Sequence, residues 1–409
     1  MRVFIPVEDR PGEKRVACLP DVVGKLTALG LEVQIASGAG EAAFASDAAF
    51  AAAGASVVAS EQTDAALGEA DIVASVRPLS PQRAAALKKG AVALSFLQPA
   101  TDTDTVQAVA WAGATAMSFD LIPRISRAQS MDALTSQALV AGYRAALVAA
   151  QRLPRFFPLF MTAAGTIPPA KVTVLGAGVA GLQAIATAKR LGAVVSAYDV
   201  RPASADEVKS MGGKFITLDL EALAGSGGYA REMTQDRAQQ QRELLTPYIA
   251  QSDAVITTAA VPGRRAPLLV TREMVEEMRP GSVVVDLAAE TGGNVEGSQP
   301  GRDIAIGRVT VHGAQDVPSS MPVHASQLYA MNVVAVLGLL VTDGELTLDV
   351  TDEIVAGSAV VLNGEVRHPA AREALGLDEA DTGETTAIPV TEDPPPTPPA
   401  GPAVAEGGN

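Results

Sequence analysis

The chain has 409 residues, which is enough for two or more domains. Its formal charge at pH 7 is −15, from 31 Lys and Arg against 46 Asp and Glu, which argues against binding nucleic acid through a broad basic surface. Cys18 is the only cysteine, so an intrachain disulfide is excluded and the chain fits a reducing compartment. The amino-terminal stretch has no apolar signal core, and no apolar run reaches the ~18 residues that span a bilayer.

Short apolar runs alternate with Ala- and Leu-rich helical stretches through the first 120 residues. Strands alternating with helices are typical of a parallel sheet that is covered on both faces. The predicted strands are residues 3–7, 31–35, 72–76, 92–96 and 114–119. This unit contains no GxGxxG pattern, so it is predicted to be a Rossmann-like domain that binds no nucleotide.

The same alternation resumes near Lys171 and predicts a second unit. Its predicted strands are residues 171–175, 194–197, 254–257, 282–287 and 309–312, and long helices are predicted over 132–151 and 324–341. A closing strand over 358–364 is assigned to the first unit. The fold class is therefore α/β, with two Rossmann-like doubly wound domains, 1–125 with 325–372 and 133–315, and a ligand cleft between them.

The stretch KVTVLGAGVAGLQAIATAKRLGAVVSAYDVRP carries a dinucleotide-binding pattern. Gly176 permits a tight turn, Gly178 lets the backbone approach a pyrophosphate, and Gly181 allows close packing of helix on strand. Asp199 follows the first glycine by 199 − 176 = 23 positions, where an acid meets the adenosine ribose and favours NAD(H) over NADP(H). Arg201 favours the alternative, NADP(H), since an arginine at this place can bind the 2′-phosphate. The alternative for the whole pattern is a glycine turn in an ordinary βαβ unit.

Two segments fall outside this alternation. Residues 224–240 are glycine-rich and then polar, which fits either a mobile lid or a long surface loop. The tail from Glu373 onward contains eight acids, no Lys or Arg, and dense proline, so it is predicted to be disordered. It is either a tether or a frayed end.

Residues 123–150, PRISRAQSMDALTSQALVAGYRAALVAA, carry a specific resemblance. Together with EKRVACLP, GAGVAG, YDVRP, GGYARE and HASQLY, this block resembles the NAD(H)-binding domain I of the proton-translocating nicotinamide nucleotide transhydrogenases. The resemblance covers residues 1 to about 375. The fold and several motifs are shared with alanine dehydrogenases.

The resemblance implies roles for particular residues. Residues implied beside the nicotinamide and its ribose are Arg124, Gln129, Asp132 and Thr135, which are the predicted catalytic set, with Arg127 as a further cofactor contact. Residues implied at the pyrophosphate, the adenosine ribose and the closing loop are Gly176, Gly178, Val179, Ala180, Gly181, Asp199, Val200, Arg201, Gly228 and Tyr229, with Gln241 and Ala260 as further cofactor contacts. No metal site is predicted. Without the resemblance, Arg124 and Asp132 would be interpreted as an ion pair capping the long helix.

An alanine dehydrogenase needs a positioned acid or base, usually histidine, and cations for the substrate carboxylate. The resemblance indicates that Gln98 occupies the histidine position, Arg77 the lysine position and Glu290 the aspartate position. Arg15 is retained, and its alternative interpretation is a surface ion pair. Glutamine cannot act as a general base, so amino-acid oxidation is disfavoured, whereas hydride transfer between two nicotinamides requires no such base.

The chain has one glycine fingerprint, so the second nicotinamide must come from a partner. The resemblance implies a partner subunit that binds NADP(H), called domain III, and membrane-domain subunits that conduct protons. It also implies a homodimer attached peripherally to the cytoplasmic face of the bacterial inner membrane. Two alternatives stay open, an alanine dehydrogenase-type oxidoreductase and a non-catalytic NAD-sensing module.

Overall fold

The computed structural model describes residues 1–218, 235–260, 265–342 and 344–377. Gly228 and Tyr229 of the predicted closing loop, and the tail from residue 378 onward, lie outside the described residues.

Strands and helices alternate along the chain as the apolar runs predict. The strands are β1 (Arg2–Ile5), β2 (Glu32–Ala36), β3 (Ser56–Val58), β4 (Ile72–Ala74), β5 (Val92–Ser95), β6 (Thr115–Ser118), β7 (Phe160–Thr162), β8 (Gly165–Ile167), β9 (Lys171–Leu175), β10 (Val194–Tyr198), β11 (Lys214–Phe215), β12 (Ala254–Thr257), β13 (Val283–Asp286), β14 (Asp303–Ile306), β15 (Val309–Gly313), β16 (Val341–Thr342), β17 (Glu345–Leu346), β18 (Ala359–Leu362) and β19 (Glu365–Val366). The helices are α1 (Pro20–Ala28), α2 (Asp47–Ala52), α3 (Thr63–Glu69), α4 (Pro81–Ala85), α5 (Thr103–Trp111), α6 (Ala133–Arg152), α7 (Val179–Arg190), α8 (Ser204–Ser210), α9 (Gln235–Ala250), α10 (Arg272–Glu276), α11 (Pro322–Leu340), α12 (Glu353–Ser358) and α13 (Pro369–Ala374).

The first large sheet has eight strands in the order β19-β18-β6-β5-β4-β1-β2-β3. Strands β1 to β6 run parallel, and β18 joins β6 in the antiparallel sense. The order of the parallel strands reverses between β1 and β4, which makes their carboxyl ends the topological switch point of this sheet.

The second large sheet has seven strands in the order β11-β10-β9-β12-β13-β15-β14. All neighbours are parallel except β14, which is antiparallel to β15. Its parallel strands repeat the order of the first sheet, so the switch point lies between β9 and β12. The central strands β12 and β13 are buried along their whole length, as expected for a sheet with helices on both faces.

Two long helices connect the parts of the chain. Helix α6 packs on α7 of the second unit and on α11, and α11 buries Tyr329, Val333, Val336 and Leu337 in the first core. Helix α11 has 19 residues and is long and apolar enough to cross a membrane, but half of that window is buried inside the protein. Its burial is that of a core helix.

A small antiparallel hairpin, β7 with β8, precedes β9 and was not predicted. Its residues are exposed on both strands, so it has neither the buried run nor the apolar alternation from which the other strands were predicted.

Candidate functional site

The turn after β9 brings its three glycines into different surroundings. Gly176 has φ +101°, a left-handed conformation that favours glycine. A β-carbon added at Gly181 would lie 1.9 Å from the Gly176 carbonyl oxygen, so α7 packs directly on the turn. Around Gly178, by contrast, nothing lies within 4 Å of an added β-carbon. The turn is closed towards the protein and open at Gly178, which fits the close approach of a pyrophosphate.

The first turn of α7 supplies the amide groups that such a ligand requires. Gly178 is the N-cap residue, and no side chain caps the helix. The first helical hydrogen bond runs from the Leu182 amide to the Gly178 carbonyl at 2.8 Å, so the amides of Val179, Ala180 and Gly181 precede it. Unpaired amides at a helix N-terminus favour an anionic group.

Asp199, directly after β10, lies beside this turn. Its Oδ2 accepts the Ala177 amide at 2.7 Å, and its Oδ1 accepts the amide and the Nε of Arg201, each at 2.9 Å. The hydrogen bond to Asp199 raises the pKa of Arg201. Asp199 therefore lies where ribose hydroxyls are expected, and one of its oxygens already accepts hydrogen bonds from Arg201. Val200 between them is partly buried.

The connection between β6 and α6 contains a 3₁₀ turn over Ser126–Met131 and carries the predicted reacting-end residues. Asp132 caps α6, since its Oδ1 accepts the Thr135 amide at 2.8 Å and its Oδ2 accepts the Thr135 hydroxyl at 2.6 Å. Arg124 and Gln129 are exposed. Two of the four residues are thus fixed to the helix end, and two present their side chains outward.

Arg127 in the same connection has a partner within the protein. Its guanidinium pairs with both oxygens of Asp352, at 2.7 and 2.8 Å, and with Glu353 at 3.4 Å. Asp352 in turn caps α12 by accepting the Ile354 amide at 2.7 Å. This ion pair ties the connection to α12, and the role of Arg127 as a cofactor contact stays a prediction.

Helix α6 joins the two predicted ends of the site. Its Gly142 faces the first turn of α7 so closely that an added β-carbon would lie 2.0 Å from the Ala180 carbonyl oxygen. Helix α6 therefore links the residues at its start to the glycine turn, because it packs on α7 at Gly142. This contact was not predicted, and the signal for it was a glycine in the middle of a predicted helix.

A buried hydrogen-bond network lies at the carboxyl ends of β12 and β13, next to the switch point. Asp286, at the end of β13, accepts the Thr257 hydroxyl at 2.9 Å and the Asn294 amide at 3.1 Å. The Asn294 side-chain nitrogen donates to the carbonyl oxygen of Ala259 at 2.8 Å. Ala260 follows and is exposed. These supporting residues were not predicted, and the acid and asparagine of DLAAETGGN were the signal that could have indicated them.

Gln241, a predicted cofactor contact, is buried on α9. Burial raises the pKa of Tyr198 to about 12, although a side-chain hydrogen bond between Tyr198 and Gln241 acts to lower it. Gln241 therefore anchors α9 next to the Asp199 turn, and direct contact with a cofactor stays a prediction.

The corresponding crevice of the first sheet contains the protein's own charged groups. Glu13 binds Arg15 at 2.6 Å and Arg77 at 2.9 Å, and Arg77 also binds Asp316 at 2.6 Å. Burial would raise the pKa of Glu13, but hydrogen bonding and charge from Arg15, with the charge of Arg77, lower it to about 2. The side chain of Arg15 is only 3% exposed, so its interpretation as a surface ion pair was wrong.

The remaining dehydrogenase positions hold no imidazole. Gln98 is exposed, and its side-chain oxygen accepts the Thr101 hydroxyl at 3.3 Å. Glu290 accepts the Asp316 amide at 3.0 Å. His312 pairs with Asp303 at 2.6 Å on the β14–β15 edge of the second sheet, away from this crevice in the fold.

The fold and the glycine turn define a two-sheet α/β protein of the dinucleotide-binding class. Family models described as "Alanine dehydrogenase/PNT, N-terminal domain" and "Alanine dehydrogenase/PNT, C-terminal domain" match residues 4–141 and 145–369. The chain belongs to this alanine dehydrogenase/PNT family.

Within the family, the transhydrogenase alpha subunits are the more similar relatives among those compared. The first polypeptide of NAD(P) transhydrogenase subunit alpha of Rhodospirillum rubrum is 47% identical over 380 residues, 90% of this chain and 98% of that protein. A crystal structure of transhydrogenase from Sinorhizobium meliloti has a TM-score of 0.79 at 44% identity, covering 90% of this chain and 100% of that one. Alanine dehydrogenase of Mycobacterium tuberculosis is 34% identical over 303 residues, 73% of this chain and 76% of that protein. By this similarity the chain is of the transhydrogenase alpha subunit type.

Proposed function

We propose that this chain binds NAD(H) and presents it for direct hydride transfer to or from NADP(H) held by another subunit, coupled in the complete enzyme to proton movement across the membrane. The observation that carries the proposal is the crossing of α6 and α7. The loop with exposed Arg124 and Gln129 leads into α6, and Gly142 of α6 packs on Ala180 in the first turn of α7, directly after the glycine turn. One pair of packed helices thus links the proposed nicotinamide and pyrophosphate ends.

The glycine turn and the Asp199 loop would hold the adenosine half of the cofactor. The amides of Val179, Ala180 and Gly181 suit the pyrophosphate, and the open space at Gly178 admits it. The carboxylate of Asp199 suits ribose hydroxyls and repels a 2′-phosphate, which favours NAD(H). Gly228 and Tyr229, outside the described residues, are proposed to close over the cofactor.

NAD(H), when bound, supplies or accepts the hydride. Arg124, Gln129, Asp132 and Thr135 are proposed to orient the nicotinamide and its ribose through hydrogen bonds. Hydride transfer between two nicotinamides exchanges no proton at the reacting atoms, so these side chains need not titrate. Their contribution is orientation and the exclusion of water.

The decisive experiment mixes this chain with a recombinant NADP(H)-binding domain III and follows hydride transfer between an NAD analogue and NADPH. Transfer at a rate that depends on both proteins supports the proposal. Tight NADH binding without transfer would instead favour a sensing module. Reduction of NAD⁺ on addition of L-alanine, without any partner, would favour the dehydrogenase alternative.

Gln129→Asn is expected to slow hydride transfer about 10- to 100-fold, because shortening the side chain moves its amide away from the reacting end by about 1 Å. NADH affinity is expected to change less than about threefold, because the glycine turn and Asp199 are untouched. Stopped-flow transfer rates and NADH fluorescence titrations measure the two effects. Equal losses in rate and affinity would contradict the role of Gln129 at the reacting rings.

The partners are proposed from the transhydrogenase similarity. They are the NADP(H)-binding subunit and the membrane-domain subunits, which would hold this chain at the cytoplasmic face of the inner membrane. A homodimer is proposed through the β7–β8 hairpin, where Phe160, Met161 and Ile167 are exposed and the ring of Phe156 lies 4.7 Å from that of Phe160.

Sedimentation analysis tests the homodimer. Met161→Asp is expected to shift the chain from dimer to monomer, whereas Phe44→Asp, at another exposed apolar residue, is expected to leave the dimer intact. A monomeric wild-type chain, or dimerisation unaffected by Met161→Asp, would contradict the hairpin interface.

The alanine dehydrogenase alternative is disfavoured by the first crevice. Arg77, the position expected to hold a substrate carboxylate, is already paired with Glu13 and Asp316. Gln98 has no titrating group for general acid–base catalysis.

A further inference from the structure

We propose that Asn332, on α11, is a positioning residue for the loop that carries Arg124 and Gln129. The proposal rests on the function proposed above, because it concerns the residues assigned to the reacting end. Asn332 is buried, and its side chain makes two hydrogen bonds. Its Nδ2 donates to the Ser130 carbonyl oxygen at 2.8 Å, and its Oδ1 accepts the Ser136 hydroxyl at 2.8 Å.

The hydrogen bond to Ser130 restrains the backbone of the loop at its exposed residues. Ala128 and Met131 are buried in the first core, and between them Gln129 and Ser130 are exposed. Ser130 directly follows Gln129, so a donor that fixes its carbonyl group also limits rotation of the backbone that carries the Gln129 side chain. The second bond, to Ser136, ties the same amide to the first turn of α6, which Asp132 caps.

One face of α11 contacts both ends of this connection. Tyr329, three residues before Asn332, lies on the same face. Its ring centroid is 5.0 Å from that of Phe119, which follows β6 directly, and its hydroxyl donates to the Ser75 carbonyl at 2.7 Å. The start of the connection therefore packs on Tyr329, and its end is hydrogen-bonded to Asn332. Both contacts come from one face of α11, which fixes the path of the connection.

The Arg127–Asp352 ion pair is another contact that could hold the loop. The Arg127 side chain is 46% exposed, so solvent screens the pair and its energetic effect is small. The amide of Asn332 is buried, where an unmade hydrogen bond is costly. We therefore expect Asn332 to determine the loop conformation more strongly than Arg127 does.

Asn332→Leu, which keeps the side-chain shape and removes both hydrogen bonds, tests the proposal. Hydride transfer with saturating domain III is expected to fall about 10- to 100-fold, while NADH affinity changes less than about threefold. Thr105→Val is the matched control, because it removes a buried side-chain donor to a backbone carbonyl, Leu79 O at 3.0 Å, in the same lobe but on α5. It is expected to keep the wild-type transfer rate.

Hydrogen–deuterium exchange of the chain without cofactor gives a second readout. Amides of residues 124–132 are expected to exchange faster in Asn332→Leu than in the wild type, and to be unchanged in Thr105→Val. If Asn332→Leu does not fold, Asn332→Asp at pH 8 replaces it, because an ionised carboxylate cannot donate to Ser130.

Three results would overturn the proposal. They are a transfer rate within twofold of wild type, equal losses of transfer in the Asn332 and Thr105 variants, and unchanged exchange in residues 124–132. If the wild-type chain itself transfers no hydride, the proposed function fails, and the exchange comparison still decides whether Asn332 positions the loop.

Discussion

A β-carbon at Gly178 and one at Gly181 would meet different surroundings. Gly178 has φ −73° and ψ −170°, which any residue can adopt, and nothing lies within 4 Å of its added β-carbon. Gly178→Ala is therefore expected to keep the free energy of unfolding within about 0.5 kcal/mol, since surface changes away from packing contacts do so. NADH affinity is expected to fall at least about tenfold, because the methyl group enters the pyrophosphate space.

Gly181→Ala is the contrasting variant, with its β-carbon 1.9 Å from the Gly176 oxygen. It is expected to destabilise the fold by about 2–3 kcal/mol through overpacking. Urea unfolding and NADH fluorescence titration of both variants measure these effects. Wild-type affinity in Gly178→Ala would exclude this turn as the pyrophosphate site.

Glu8 couples stability to pH. Burial raises its pKa to about 7, although its carboxylate accepts the amides of Val76 at 2.6 Å and Arg77 at 2.9 Å. The folded protein thus holds this proton more tightly than the unfolded chain does. The contribution of Glu8 is fully present below pH ~4.5 and is lost as pH rises through about 7.

Glu8→Gln removes this titration. We expect the wild type to lose about 1–3 kcal/mol of stability relative to Glu8→Gln between pH 4.5 and 8, from the size of the pKa shift. Urea unfolding at several pH values measures the difference between the two proteins. Parallel curves would show that Glu8 titrates alike in the folded and unfolded chains.

The residues of the site that follow a local pattern could be identified from the sequence. The glycine turn and Asp199 lie within one βαβ unit, so their spacing alone predicted them as a cofactor site, and that role stays a prediction. The hydrogen-bond partners of Asn294 and Asn332 follow no such local pattern. Asn294 bonds Ala259 35 positions away, and Asn332 bonds Ser130 202 positions away, so only the folded chain reveals either partner.

At the scale of elements, the crossing of α6 and α7 is tight enough to test. Gly142→Ala improves intrinsic helix propensity, by up to about 1 kcal/mol, yet its β-carbon would lie 2.0 Å from the Ala180 oxygen. We expect a net destabilisation of about 1–3 kcal/mol and weaker NADH binding, because the first turn of α7 must move.

Gly338→Ala in α11 is the matched control, because nothing lies within 4 Å of its added β-carbon. It is expected to be neutral or stabilising. Thermal unfolding and NADH titration of both variants measure the effects. A stabilised Gly142→Ala protein with normal affinity would contradict a close α6–α7 contact.

Long periodic elements were predicted well, and short exposed ones were not. Helices α6 and α11 lie within two residues of the predicted bounds, since many buried positions define their period. Strands β3, β11 and β14 were missed. Each has at most four residues, and their mostly exposed or partly buried positions weaken the apolar signal of a buried strand. The predicted division into domains 1–125 with 325–372 and 133–315 stays a prediction.

At the scale of the whole molecule, the two sheets share one strand order but differ at their switch points. In the second sheet the crevice is open at Gly178. In the first, Glu8 accepts the amides that follow β4, and Glu13 joins Arg15 to Arg77. The protein's own carboxylates thus occupy the position where a doubly wound sheet would otherwise bind an anionic ligand.

Glu13 also links the parts of the chain. Arg15, which it binds, donates to Gln137 of α6 at 2.9 Å, and Gln137 donates to the Ala325 carbonyl of α11 at 3.1 Å. Arg77 carries the network to Asp316, beyond β15 of the second sheet. These ion pairs and hydrogen bonds therefore connect both long helices and both sheets.

Glu13→Gln is expected to lower the free energy of unfolding by about 3–5 kcal/mol, because it leaves the buried charge of Arg15 without its partner. Glu69→Gln is the control, because the Arg2–Glu69 pair is exposed and screened by solvent, so its loss should leave the free energy of unfolding nearly unchanged. Urea unfolding at pH 7 measures both, where Glu13, with a pKa of about 2, is ionised in the wild type. Equal small losses in the two variants would mean that the Glu13 network does not hold the sheets and long helices together. A ligand could then displace Glu13 from the first crevice with little loss of stability.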